Sequence, residues 1–162
     1  MNVFFERATP ADAEALVNVQ IRAFHHDAQI YPGVEIGGPP GYDSVESALK
    51  KMQEDDYYKI VCDGRIVGGI VVFDFGQGLY HLDLIYLDPD YHNRGIGTRA
   101  MQFIEQVYPA RKWTLDTPSY AVRNHHFYEK FGYVKVREEA RDGITLVAYE
   151  KEIMYGSRAV ES

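Results

Sequence analysis

The residues with the clearest chemistry lie in one run, His81-Leu-Asp-Leu-Ile-Tyr-Leu-Asp-Pro-Asp-Tyr-His-Asn-Arg-Gly-Ile-Gly-Thr98. Its first part, His81 to Leu87, reads as a strand. An Asp/Pro turn follows, and then a glycine-rich entry into a helix. From that entry Ile96, Ala100, Phe103, Ile104 and Val107 recur at helical spacing. A loop that opens a helix with Asn93-Arg94-Gly95-Ile96-Gly97 leaves backbone N–H groups unpaired at the positive end of a dipole. Glycines let an anion approach that backbone closely. The pattern is a phosphate cradle and points to a phosphate-bearing ligand. Two side chains that can take or hold a proton, His81 and Asp83, alternate onto one face of the preceding strand. Farther on, Tyr128 follows Asn124 by one helical turn on the same face, while Phe127 and Phe131 share an adjoining face as core anchors.

These groups need a scaffold, and the chain supplies signals for one. Asn2 to Arg7 reads as a first strand. Thr9-Pro10-Ala11-Asp12 starts a helix that carries Ala13, Val17, Ile21 and Phe24 on one face. Phe24 to Tyr42 is expected to be a long loop, because seven Gly and Pro residues lie between Pro32 and Gly41. Loops of that length in compact domains are usually lids or binding segments. Asp43-Ser-Val-Glu46 resembles a capping box opening a second helix. Tyr57 to Cys62 and Arg65 to Phe73 form a hairpin across Asp63-Gly64, and Gly76-Gln77-Gly78 turns the chain into the His81 strand. Lys112 to Thr117 is a short strand. Thr117-Pro118-Ser119 is expected to start a helix that ends at Gly132. A last hairpin joins Tyr133 to Ala140 with Ile144 to Lys151. The reading is one domain over residues 1–154 and a tail over 155–162.

Composition narrows the class. The chain has 162 residues, 46% of them apolar and 14% aromatic, which suits one folded core. Seventeen Lys and Arg against 24 Asp and Glu give a net charge of −7. No basic run is present, so nucleic acid is not an expected partner. Cys62 is alone, which excludes an intrachain disulfide and fits a cytoplasmic setting. No basic-then-apolar leader opens the sequence. The longest apolar run, Ile66 to Phe73, is too short to span a bilayer, so no membrane partner is expected.

Two readings compete for the glycine loop. Gly95-Ile-Gly-Thr-Arg-Ala100 fits the outline of a dinucleotide-binding fingerprint, with Asp116 ending a strand about 20 residues on. In that fold the first glycine sits directly after the strand, whereas Asp88 to Arg94 intervene here. Only 46 residues follow Asp116, too few for a second half. The other reading accounts for more of the chain. His92-Asn-Arg-Gly-Ile-Gly97 resembles the Gln/Arg-x-x-Gly-x-Gly/Ala pyrophosphate loop of the GNAT superfamily of acyl-CoA-dependent N-acyltransferases, with His92 where Gln or Arg is usual. Leu84-Ile-Tyr-Leu-Asp-Pro-Asp-Tyr91 looks like that family's central strand and its exit. Asn124-His-His-Phe-Tyr-Glu-Lys-Phe-Gly-Tyr133 resembles its second motif, and the element order agrees from residue 2 to about 151.

The resemblance implies an α+β fold with a mixed, mostly antiparallel sheet of about seven strands flanked by four helices. It implies acetyl-CoA as cosubstrate, held by Ile85, Leu87, His92, Asn93, Arg94, Gly95, Ile96, Gly97, Thr98, Asn124 and Tyr128. Tyr128 would give a proton to the departing thiolate. The general base would be His81, directly or through water, with Asp83 orienting it or fixing a substrate ammonium; imidazole titrates near working pH. A backbone N–H near Leu87 would stabilise the oxyanion. His25, Tyr31 and Glu35, in or beside the breaker-rich loop, would face the acceptor. The expected function is acetyl transfer to a primary amine of a small molecule or peptide by direct attack. The sequence offers no paired nucleophile for an acyl-enzyme and no metal site; adjacent His25 and His26 are weak as ligands. A non-catalytic acyl-CoA-binding or sensing module on the same fold is the alternative. The protein partner to expect is a second copy of the chain, in a homodimer.

Overall fold

The computed structural model describes residues 1–154. The tail expected at 155–162 lies outside them. Seven strands, β1 (Val3–Arg7), β2 (Asp56–Cys62), β3 (Arg65–Asp74), β4 (Leu79–Leu87), β5 (Lys112–Pro118), β6 (Val134–Arg141) and β7 (Ile144–Glu152), form one mixed sheet in the order β1-β2-β3-β4-β5-β7-β6. Four helices accompany them: α1 (Ala13–Ile30), α2 (Val45–Glu54), α3 (Ile96–Val107) and α4 (Val122–Lys130). β4 and β5 pair in parallel, whereas β1/β2, β2/β3, β5/β7 and β6/β7 are antiparallel. A parallel pair needs a crossover, and the chain spends α3 on it. The sheet, the helix count and the mostly antiparallel pairing match the expected α+β class.

Turn chemistry explains the hairpins. Asp63 and Gly64 both take positive φ, 50° and 81°, as a two-residue turn between β2 and β3 requires. Asp142 and Gly143 repeat this between β6 and β7, at 51° and 82°.

Contacts group the chain into two compact units, Met1–Val72 with Asp83–Ile104, and Phe73–Leu82 with Glu105 onward. In the first, α1 buries Leu16 and Val17, β2 and β3 bury Ile60, Val67 and Ile70, and α3 buries Ile96, Ala100 and Met101. Phe103 of α3 stacks on Phe5 of β1 at 4.8 Å and meets Tyr58 of β2 edge-on. In the second, Trp113 of β5 is fully buried and packs with Tyr80 and Tyr108.

Three boundaries differ from the sequence expectation. Phe24 to Ile30 is the last part of α1 and not loop. The breakers start only at Pro32, and the Tyr31 N–H closes the final turn on the Asp27 carbonyl at 3.0 Å. The cap of α2 is Ser44 and not Asp43, because Ser44 Oγ accepts the Ser47 N–H at 3.1 Å. Thr117-Pro118 ends β5 and does not open α4. A residue before proline avoids the helical region, and the ladder continues through Ser119 N–H to Thr145 O at 2.8 Å.

Candidate functional site

The strand–turn–helix run forms as read, with Asp83 to Thr98 inside the first unit. Along β4 burial alternates, so His81, Asp83, Ile85 and Leu87 occupy the half-buried face and Leu82, Leu84 and Tyr86 the buried one. Asp88 then stops the strand. Its carboxylate is buried, accepts the Asp90 N–H at 2.9 Å through Oδ1, and takes Arg22 of α1 on Oδ2. A 3-10 turn over Pro89–Tyr91 leads to the loop. One turn beyond Arg22 on α1, His26 meets the ring of His92 edge-on at 5.6 Å. His92 Nε2–H donates to Leu87 O at 3.2 Å. The histidine at the Gln/Arg position therefore binds the end of its own strand.

Asn93 and Gly95 take positive φ, 62° and 77°. That left-handed step carries the chain into α3, whose first closing bond is Arg99 N–H to Gly95 O at 3.1 Å. The N–H groups of Ile96, Gly97 and Thr98 precede the first helical donor-acceptor pair and point out of the helix start. A Cβ at Gly95 would meet nothing within 4 Å, so the cradle is open there. Arg94 donates to Asp90 O and lies over the Tyr91 ring.

Asp83 does not stand alone in this unit. Lys51 of α2 donates to its Oδ2 at 2.7 Å, and both side chains are about three-quarters buried. Desolvation, with Asp83 second, raises the carboxyl of Asp55. The Asp88 N–H is donated to Val67 O at 2.7 Å, so it is not the amide left for an oxyanion. The breaker-rich segment is packed. Tyr42 bonds His25 Nε2 at 2.7 Å and lies edge-on to Phe24. A Cβ at Gly38 would come within 2.7 Å of the Tyr42 ring, which is why the chain is glycine there. Among the acceptor-facing candidates, His25 lies in α1, Tyr31 is only 9% exposed, and Glu35 is exposed. Burial pushes Asp27 up to about 6, against the pull of His26.

In the second unit His81 meets groups the sequence did not connect to it. The parallel register sets His81 beside Thr114, and Nδ1 lies 2.7 Å from Thr114 Oγ1. Nε2 lies 4.0 Å from Asp116 Oδ2, and Phe73 stacks on the ring. Only strand pairing reveals this trio, since 33 residues separate His81 from Thr114. Asn124 donates to Thr117 Oγ1 at 3.3 Å. The Tyr128 ring is buried against Phe127, Tyr133 and Tyr149. Burial alone raises its phenol, with no hydrogen bond contributing. The sealed, unsatisfied side-chain atoms among the described residues are Trp113 Nε1 and Tyr133 OH.

The model of the acetyltransferase (GNAT) family matches residues 21–133, more than two-thirds of the chain. The chain belongs to the GNAT acetyltransferase family. It is similar to the S-(2-succino)cysteine N-acetyltransferase of Bacillus subtilis (strain 168), 27% identical over 83% of this chain and 86% of that protein. It is 44% identical to the uncharacterized protein YrkN of the same organism, over 44% of this chain and 40% of that one. This chain therefore spans about two-fifths of YrkN. Two solved structures share the fold. The PaiA N-acetyltransferase of Thermoplasma acidophilum, crystallised with coenzyme A, has a TM-score of 0.78 at 21% identity and covers 94% of this chain and 100% of its own. A GNAT acetyltransferase from Streptococcus agalactiae has 0.79 at 16% identity, covering 94% and 96%. Both GNAT motifs of this chain, around Gly95 and Tyr128, lie within the family match.

Proposed function

We propose that this chain moves an acetyl group from acetyl-CoA to a primary amine by direct attack through a tetrahedral intermediate. The observation that carries the reading is the helix start at Gly95–Thr98. It offers three outward N–H groups behind a left-handed glycine, on the exit of the central strand. Such a start takes an anion without a cationic side chain. Pyrophosphate is the anion that the family's cosubstrate supplies.

The chain's own groups then divide the work. The amides of Ile96 to Thr98 hold the pyrophosphate. Ile85 and Leu87, on the half-buried face of β4, flank the pantetheine, and Asn124 bonds it from α4. His81 takes the proton that the nitrogen loses as the C–N bond forms. Tyr128 serves the sulfur. With its phenol raised by burial it stays protonated, hence a hydrogen-bond donor. A free thiol titrates near ~8.5, so full transfer from so weak an acid is uphill in water. Tyr128 therefore works by hydrogen-bonding the departing sulfur, and passes its proton on only where that sulfur is as desolvated as the phenol itself. His25 and the exposed Glu35 are the acceptor-side contacts. The acceptor of the Bacillus subtilis relative, an S-substituted cysteine, makes an amino-acid α-amine the first acceptor to assay.

Two-substrate kinetics test the reading. Initial rates with varied acetyl-CoA and amine should give intersecting double-reciprocal lines, because both substrates must be bound together. Parallel lines, with acetylated protein trapped in the absence of amine, would replace direct attack by an acyl-enzyme.

A further inference from the structure

The proton acceptor His81 sits in a trio whose charges and distances suit one more task. Nδ1 is 2.7 Å from Thr114 Oγ1, while Nε2 faces Asp116 Oδ2 at 4.0 Å. Asp116 is about one-third exposed at the side chain, and no N–H or O–H of the described residues donates to it. Asp83, the other carboxylate near His81 in the chain, already holds Lys51. Of the two, Asp116 is the carboxylate whose charge no lysine or arginine of the described residues neutralises.

We infer that Asp116 and His81 together bind the acceptor's ammonium, and that Thr114 fixes the tautomer that lets them do so. The inference rests on the acetyltransferase reading and adds where the amine is held before attack. A nitrogen at hydrogen-bond distance, ~2.8 Å, from two atoms 4.0 Å apart fits without moving either. An alkylammonium has three N–H donors, enough for both and for one water. It needs a lone pair on Nε2. Thr114 Oγ1 supplies the condition by accepting Nδ1–H, which leaves the proton off Nε2. On deprotonation the N–H bond of the ammonium breaks and an Nε2–H bond forms, so the positive charge passes from the amine to the imidazolium and stays beside Asp116. Water then takes that proton from Nε2, which restores the lone pair for the second proton, the one the nitrogen loses as the C–N bond forms. Among the groups facing His81 are Asp116 and Thr114 from β5, and Phe73 and Phe75 from the end and exit of β3; Asp83 lies two residues along β4. Within this set Asp116 is the charge that faces Nε2.

The experiment uses the full chain and n-butylammonium chloride as the probe, read by nitrogen–proton NMR of the histidine side chains. In the wild type, n-butylammonium should move the His81 Nε2 resonance saturably, and His81→Gln identifies that resonance by its loss. Asp116→Asn should weaken the effect about tenfold, the weight of a hydrogen bond to a charged group. n-Butanol, which carries no charge, should leave His81 where it is. Thr114→Val should shift the resting tautomer toward Nε2–H and weaken the probe, while Thr114→Ser should restore both. In turnover, Asp116→Asn should raise the amine KM and leave the acetyl-CoA KM unchanged. A His81 resonance that ignores n-butylammonium, or moves equally in Asp116→Asn, overturns the inference. Failure of the acetyltransferase reading shows differently: no amine is turned over by the wild type, while the NMR titration still decides whether the ammonium binds.

Discussion

Replacing Arg22 by methionine should destabilise the turn that leads into the glycine loop. Asp88 is 1% exposed, and its two oxygens have different partners, the Asp90 N–H on Oδ1 and the Arg22 guanidinium on Oδ2. Methionine keeps the stem and removes the charge, so a buried carboxylate keeps one hydrogen bond and loses its counter-ion. Breaking a fully buried pair costs about 3–5 kcal/mol. Arg22 is 45% exposed at the side chain, so water screens part of that loss. The expected cost is about 2 kcal/mol, or a fall in Tm of about 5 °C for a domain of this size. Urea unfolding of wild type, Arg22→Met, Asp88→Asn and the double variant measures it as a cycle. In Asp88→Asn the amide oxygen can still accept the Asp90 N–H, and the side chain carries no charge. The double variant should therefore lose less than the sum, with a coupling of about 1 kcal/mol or more. Acetyl-CoA affinity of folded Arg22→Met should fall with the order of the turn. A loss under about 0.5 kcal/mol, the size of an ordinary surface change, with additive single effects, would refute the claim that this ion pair holds the strand exit.

Other consequences can be checked on the same protein. Tyr128→Phe should lower kcat roughly 10²-fold with acetyl-CoA affinity and thermal stability nearly unchanged, since burial is the one cause shifting its phenol; a thiol-release assay, equilibrium dialysis and a thermal melt read the three. Gly97→Val places a branched side chain in the first turn of α3, where helix propensity favours the change, so the protein should fold and fail to bind acetyl-CoA by calorimetry. Asp27 is held near 6 by burial, above its ordinary 3.8. The folded state thus binds the proton more tightly than the unfolded one, and stability falls as pH rises from about 4 to 6. After discounting for its part-exposed side chain, Asp27→Asn should recover about 1 kcal/mol at pH 7 and little at pH 4.5 in urea titrations.

Much of this architecture is written in local signals. Asp63-Gly64 and the 3.6-residue spacing after Gly95 each depend on a few neighbouring residues, and each appears in the fold as read. Boundaries differ from the reading where two local rules compete. Phe24 to Ile30 has no breaker of its own, and the Gly and Pro residues after it do not reach back into the helix. Thr117-Pro118-Ser119 looks like a helix start, but Pro118 is equally at home at a strand end, and pairing with Leu146 decides for the strand. The site divides the same way. The glycine step into α3 is backbone geometry inside one segment, so sequence displays it. The partners of its side chains come from distant segments. Lys51 reaches Asp83 across 32 residues and Arg22 reaches Asp88 from another helix; no spacing rule pairs them. Thr114 and Asp116 join His81 only through the register of a parallel pair. Tyr31 reads as a loop aromatic in sequence and is buried where its N–H closes α1.

Acetyl transfer to an amine is tested by following both products of one reaction. The full chain is incubated with acetyl-CoA and a panel of primary amines that includes S-(2-succino)cysteine. Free thiol is measured beside the amine product by mass spectrometry. One N-acetylated amine should form for each thiol released, with release depending on amine concentration. Tight acetyl-CoA binding with no N-acetyl product from any amine would contradict that transfer and leave a binding module on the same fold.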